Sequence, residues 1–256
     1  MKKILVKKIL AALLLTLPTM AVAVDLDGYY ITAKGGVSKT FNTGAMNVLP
    51  ALSPPLTYQN KDLGTGSTFG FSVGKYLTDN FRLELEATKR TGYEMDTAFE
   101  ERTNQTESAK IETQALFING FYDLQPFSIR NTPITPYLGG GLGVSRNKLG
   151  TQVARNNGFL TGITIGGKTT SHFAYKLSAG TLVSLTEQLS LDVNYQYVNL
   201  GGFTGSGEVS LLGDRVGDDL ITINGGEIKT QELMVGLQYI FNQHSISSKN
   251  LPSTPH

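Results

Sequence analysis

Residues 81–89, FRLELEATK, alternate apolar and polar side chains with a period of two. Phe81, Leu83, Leu85 and Ala87 fall on one side of an extended chain, and Arg82, Glu84, Glu86 and Thr88 on the other. Successive Cβ atoms of a strand point to opposite sides, so this period describes a β-strand with two chemically different faces. Two kinds of structure satisfy it. A soluble sandwich or barrel buries the apolar face and wets the charges. A membrane barrel turns the apolar face to lipid and encloses the charges.

The alternation recurs. Segments 29–38, 68–76, 81–91, 111–123, 137–145, 172–182, 189–198 and 230–241 carry it, which predicts eight strands. Leu116, Phe117 and Ile118 are apolar on both sides of theirs and leave its facing open. The connections are long at 39–67, 92–110, 146–171 and 199–229, short at 77–80 and 183–188, and intermediate at 124–136. A meander with all its long connections at one end is the plan of a bacterial outer-membrane barrel. A soluble barrel has no reason to segregate connection length. The expected fold is all-β, an eight-stranded antiparallel up-and-down transmembrane β-barrel. Strand-like stretches at 160–165 and 220–223 leave room for a count of ten.

The chain begins with Lys2, Lys3, Lys7 and Lys8, an apolar run at 9–17, and the small-x-small site Ala21-Val22-Ala23. These are the parts of a secretory signal peptide. The run is too short for a spanning helix, which needs about 20 residues. The expected organisation is a signal peptide at 1–23, a barrel at 24–241 and a polar, disordered periplasmic tail at 242–256. Cleavage removes four of the 22 basic residues and none of the 21 acidic ones, leaving a balance of about −3. Such a charge gives no argument for nucleic acid as a partner. With no Cys there is neither a disulfide framework nor a thiolate metal site. No later stretch is apolar enough for a membrane helix, so an exported chain that enters a membrane does so as strands.

In that setting Phe81, Leu83 and Leu85 face lipid. The lumen receives a charge network of Lys34, Arg82 and Lys176 against Glu84, Glu86 and Asp192. Enclosed charges need partners, and an eight-stranded barrel is just wide enough to be filled by side chains, so a plugged lumen is expected. The chain has no Trp. An aromatic girdle at the periplasmic end would use Tyr29, Tyr76, Phe81, Tyr137, Tyr239 and Phe241.

Three motifs need weighing. Residues 162–169, GITIGGKT, fit a phosphate-binding pattern, but that motif requires a following helix and here the next segment is strand-like. Glu208, Asp214, Asp218 and Asp219 lack the frame of a calcium loop and read as solvated acids, with weak divalent-cation binding at the surface as the alternative. His172 has Ser171 beside it and Ala174 two residues on, so a His and Ser sharing one strand face, as a membrane-embedded deacylase would need, is missing.

The segments GKYLTDNFRLELEA, TPYLGGGLGV, FAYKLSAG, LTEQLSLDVNYQY and LMVGLQYIF resemble the strands of opacity-type, porin-like surface antigens. These are eight-stranded outer-membrane barrels related in plan to outer-membrane protein A, and the resemblance runs over residues 28–241. It implies a non-enzymatic surface protein of a Gram-negative outer membrane, without cofactor, with extracellular loops and both termini periplasmic. It further implies that Leu237, Tyr239 and Phe241 form a terminal signal read by the barrel-assembly machinery, although this chain continues past Phe241. Its partners would be outer-membrane lipid and, through the loops, a host-cell or matrix protein. The alternatives are a narrow solute channel, a lipid-modifying outer-membrane enzyme and a soluble periplasmic barrel. The apolar stretch 48–58, VLPALSPPLTY, serves equally as a contact surface or as a cap over the barrel mouth.

Overall fold

The computed structural model describes residues 26–241 except 42–44, 51–55, 60–61, 100–101, 157–158, 166 and 212–213. The expected signal peptide with Ala21 and Ala23, and the tail at 242–256, lie outside the described residues.

Among the described residues fifteen strands follow one another. The first eight are β1 (Tyr29–Thr40), β2 (Ala45–Pro50), β3 (Leu56–Gln59), β4 (Thr65–Tyr76), β5 (Phe81–Phe99), β6 (Arg102–Asp123), β7 (Phe127–Ile129) and β8 (Thr132–Leu149). Then come β9 (Gln152–Asn156), β10 (Phe159–Ile165), β11 (Thr169–Ser184), β12 (Leu189–Asn199), β13 (Phe203–Leu211), β14 (Asp214–Gly225) and β15 (Lys229–Ile240). Eight of them close a barrel: β1 pairs with β4, then β5, β6, β8, β11, β12 and β15 follow, and β15 returns to β1 with Tyr30 opposite Ile240. Closure gives every strand two neighbours. In hydrocarbon this is the only way an extended backbone satisfies its N–H and C=O groups.

The barrel count is therefore eight, not ten. Residues 160–165 and 220–223 are extended, in β10 and β14, but they belong to hairpins beyond the barrel. These hairpins form a crown. The β2–β3 hairpin joins β14, β13 joins β10, and β9 joins the upper part of β6. The long connections are thus largely paired strands and not irregular loops. They show little alternation because a strand standing clear of lipid needs no apolar face.

The two short turns share one device. In LTDNF (77–81) the Thr78 hydroxyl accepts from the backbone N–H of Phe81 at 3.0 Å, and in LTEQL (185–189) the Thr186 hydroxyl accepts from Leu189 at 3.0 Å. The threonine closes the turn by imitating a backbone carbonyl. The intermediate connection contains a third tight turn, where Arg130 and Asn131 both have positive φ, as a two-residue hairpin between β7 and β8 demands.

Side-chain facing follows the period of two. Phe71, Leu85, Ile118, Leu142 and Leu177 point out, while Ser72, Glu84, Glu86, Asn119 and Lys176 are buried inside. The ambiguous trio resolves with Leu116 and Ile118 outward and Phe117 inward. Three inward glycines of β8 make room for bulky neighbours on β6: Gly139 faces Phe121, Gly141 faces Asn119 and Gly143 faces Phe117. Two residues expected in the girdle instead point inward. Tyr137 is buried, and Tyr76 packs against the inward Tyr30 at 5.5 Å between ring centres. Each has the same parity as the inward residues of its strand, and parity decides. Tyr239 and Phe241 stand edge to face at 5.5 Å on the outer surface, where Tyr29 carries Lys75 over its ring.

Candidate functional site

The lumen holds its charges in three levels. Nearest the short turns, Arg82 donates to Asp123 at 3.1 Å. Its guanidinium also lies 4.5 Å from the Phe121 ring centre and 4.6 Å from that of Tyr137. Aromatic faces attract a desolvated cation, so Arg82 is boxed as well as paired. Tyr137 in turn donates to Asp192 at 2.6 Å.

At the middle level Glu86 lies between two ammonium groups, Lys34 at 2.8 Å and Lys176, and accepts from Asn119 at 3.0 Å. The same Asn119 amide reaches Glu84 at 3.1 Å, and Lys34 stands 3.9 Å from Glu84. At the upper level Arg90 holds Glu232 in a fork, with Nε to Oε1 at 2.6 Å and Nη2 to Oε2 at 3.1 Å. Ser38, Thr230 and Gln196 also donate to Glu232. Because Ser38 gives its proton to Glu232, the Tyr93 hydroxyl, 2.5 Å away, donates to Ser38.

All six charges expected in the lumen lie there, but the set was incomplete. Arg90, Glu232 and Asp123 join it, giving four cations against five carboxylates among the described residues. The signal was present: Arg90 continues the inward parity of Arg82, Glu84 and Glu86, and Glu232 precedes the outward Leu233. Above Arg90 an extra residue at Gly92, with φ of 92°, rephases β5 so that Tyr93 also points inward. A bulge does this by placing two residues opposite one.

Over the ion pairs lies an apolar layer. Leu63, Tyr93, Ile111, Leu149, Leu200 and Ile228 are almost wholly buried in one cluster. Each comes from a strand top or a connection at the barrel mouth. Ser145 and Asn147 donate to the Leu200 carbonyl at 2.5 and 2.9 Å, which fixes the link from β12 to β13 across the opening. At the rim, outside the wall, Glu227 accepts from Lys229 at 2.9 Å and Asn199 at 3.1 Å. Those hydrogen bonds hold its carboxyl below the usual range.

The other candidates separate. His172 faces the inside of β11 and contacts Thr170 at 3.1 Å, whereas Ser171 is on the outside, so the two share no face. Residues 162–169 run from β10 into β11, with no helix to cradle a phosphate. Glu208 and Asp218 are opposite one another in the backbone register of β13 and β14. No group of three or more His, Asp or Glu able to hold a metal occurs among the described residues. Leu237 and Tyr239 lie on the outer surface of β15, and Phe241 follows it.

Curated relatives resemble the chain over most of its length. It is 25% identical to outer membrane protein PagN of Salmonella typhimurium over 239 residues, covering 86% of this chain and 93% of that one. It is 26% identical over 183 residues to a Rickettsia bellii protein named "Putative adhesin", covering 68% of this chain and 75% of the other. Among solved structures, neisserial surface protein A superposes with a TM-score of 0.48 at 16% identity, over 84% of this chain and 97% of that one. The sequence matches the outer membrane protein beta-barrel domain across residues 9–241, and with its strands closed around a polar interior the chain belongs to that family of the Gram-negative outer membrane.

Proposed function

We propose that this barrel is a non-enzymatic surface protein, a filled scaffold that holds four paired hairpins outside the cell and adheres through them to a host-cell or matrix protein. The observation that carries this reading is the crown, in which hairpins from four separate connections pair edge to edge above a lumen packed with ion pairs and roofed by an apolar cluster. Binding residues are characteristically displayed on connections held by a rigid frame. The adhesin name of a relative points the same way. A solute channel fits less well, since Arg90, Glu232 and the Leu63 cluster stand across the lumen.

In this reading the signal peptide is removed after Ala23, the short turns and both termini face the periplasm, and the barrel-assembly machinery reads Leu237, Tyr239 and Phe241. The chain has no Cys, so single-cysteine variants report orientation cleanly. Asp214→Cys at a hairpin and Asp79→Cys at a short turn are both exposed. A membrane-impermeant maleimide should label Asp214→Cys on intact cells and Asp79→Cys only after permeabilisation; the reverse pattern would invert the topology. Deleting residues 48–58 should lower adhesion to cultured cells while leaving the amount of folded barrel unchanged. Undiminished adhesion would remove the β2–β3 hairpin from the contact. Phe241→Asp should reduce outer-membrane levels, and equal levels would mean the terminal aromatic is not read.

A further inference from the structure

The outer wall carries a groove of about 830 Å³ that the adhesion reading does not use. It crosses β4, β5, β6, β8 and β11. Along its upper rim Phe69, Lys89, Gln114, Arg146 and Ser171 are consecutive partners in the strand register, so they form one lateral row on the outer surface. The next outward row towards the short turns is Phe71, Ala87, Leu116, Val144 and Phe173. Ala87 is a small floor between the larger Phe71 and Leu116. Apart from Phe69 at its end, the upper row is polar and carries two cations, and it sits directly on an apolar row.

The charge at this height is one-sided. Lys148 and Lys168 add to Lys89 and Arg146, while Glu112 is the acid between them, 3.9 Å from Lys89 with both side chains half exposed. Lys110 is matched by Glu94 at 4.0 Å. At the short-turn end Asp27, Asp79 and Glu187 accompany Lys75 and Arg130. Among the described residues, the hairpin end is the one that offers surplus positive charge where the wall turns apolar.

We infer that this groove binds a phosphorylated, multiply acylated glycolipid of the outer leaflet, with acyl chains over Phe71, Ala87 and Leu116 and phosphates at Lys89 and Arg146. Lys89 and Arg146 are two strands apart, roughly 10 Å at the usual strand spacing, which suits two phosphates on one headgroup better than one. The row spans five strands, about 20 Å, wider than a two-chain phospholipid fills. Gln114 and Ser171, between and beside the cations, supply hydrogen bonds for sugar hydroxyls. Placement in the outer leaflet rests on the orientation proposed above.

The test is lipid binding to purified folded barrel in detergent, with bisphosphorylated lipid A as probe. Combining Lys89→Gln with Arg146→Gln should weaken binding tenfold or more, and monophosphorylated lipid A should bind the wild type several-fold more weakly than the bisphosphorylated form. Ala87→Phe fills the groove while keeping the lipid face apolar, and should weaken binding several-fold with the folded gel band intact. Equal binding by the wild type and the double variant would overturn the proposal. So would competition by phosphatidylglycerol at the same concentration as lipid A. Binding in detergent does not depend on which way the barrel sits. Reversed cysteine labelling would therefore overturn the leaflet assignment separately, even with the lipid bound.

Discussion

Arg90–Glu232 and Lys229–Glu227 are both close cation–carboxylate contacts, at 2.6 and 2.9 Å, and Lys229 and Glu232 lie on the same strand. Their surroundings differ. Neither side chain of the first pair is exposed at all, whereas those of the second are 27% and 57% exposed. Water supports Glu227 whether or not Lys229 is present. Nothing but protein supports Glu232, and five residues converge on it: Arg90, Ser38, Thr230 and Gln196 directly, with Tyr93 behind Ser38. Similar distances therefore mean unlike energies, because leaving a buried charge unpaired costs far more than leaving a wet one.

Glu232→Ala tests the larger side. It strands a buried guanidinium and three donors, and should cost about 3–5 kcal/mol. On an unheated detergent gel the folded band should convert at a clearly lower temperature; an unchanged conversion would show that water reaches Arg90. Glu86→Gln keeps an acceptor for Asn119 but leaves two buried ammonium groups, Lys34 and Lys176, with one carboxylate near them, Glu84 at 3.9 Å from Lys34. It should cost about 3 kcal/mol, less than Glu232→Ala, which removes every acceptor at once. Arg90→Met combined with Glu232→Leu should recover part of the single-variant loss, since an apolar pair of similar volume can replace a buried ion pair. Recovery is partial because Ser38, Thr230 and Gln196 then lack their acceptor. A double variant no better than Glu232→Ala would mean that the pair itself contributes little.

Glu227→Ala tests the smaller side and should change stability by about 0.2–1 kcal/mol, less in high salt. Its pH dependence has a definite sign. The folded pKa is depressed below the ordinary glutamate value, so the unfolded chain binds the proton more readily. The contribution is present above the unfolded pKa and lost as pH falls through the folded one. Comparing wild type with Glu227→Ala between pH 7 and pH 3 should show their difference in stability shrinking on acidification. A difference that grows would contradict the assignment.

The same contrast explains what the sequence disclosed. Where the chain crosses lipid, one face must be apolar, so Leu83, Leu85 and Leu237 announce the strands and parity assigns Lys34, Glu86 and Lys176 to the lumen. Arg90 and Glu232 obey the same parity. They lie where the apolar constraint fades, next to the Gly92 bulge that shifts the phase, and Asp123 lies at a strand end where the pattern stops. Tyr76 and Tyr137 show the opposite error, chemical type taken over position. Beyond the rim nothing requires two unlike faces, and β2, β9, β13 and most of β14 were legible only as long connections. What draws those strands together is backbone pairing between remote segments, which no local pattern encodes.

That pairing has an immunological consequence. Val48 stands opposite Ile223, Glu107 opposite Ala154, and Ile165 opposite Val209. A surface patch on the crown is therefore assembled from segments far apart in the chain. Antibodies raised against a synthetic peptide of any one hairpin would meet that segment bound on both sides by others, and should recognise the denatured chain better than the folded barrel. An immunogen that presents this surface has to be the folded barrel. Because backbone groups hold the crown together, its sequence can also change, and such an epitope with it, without loosening the scaffold.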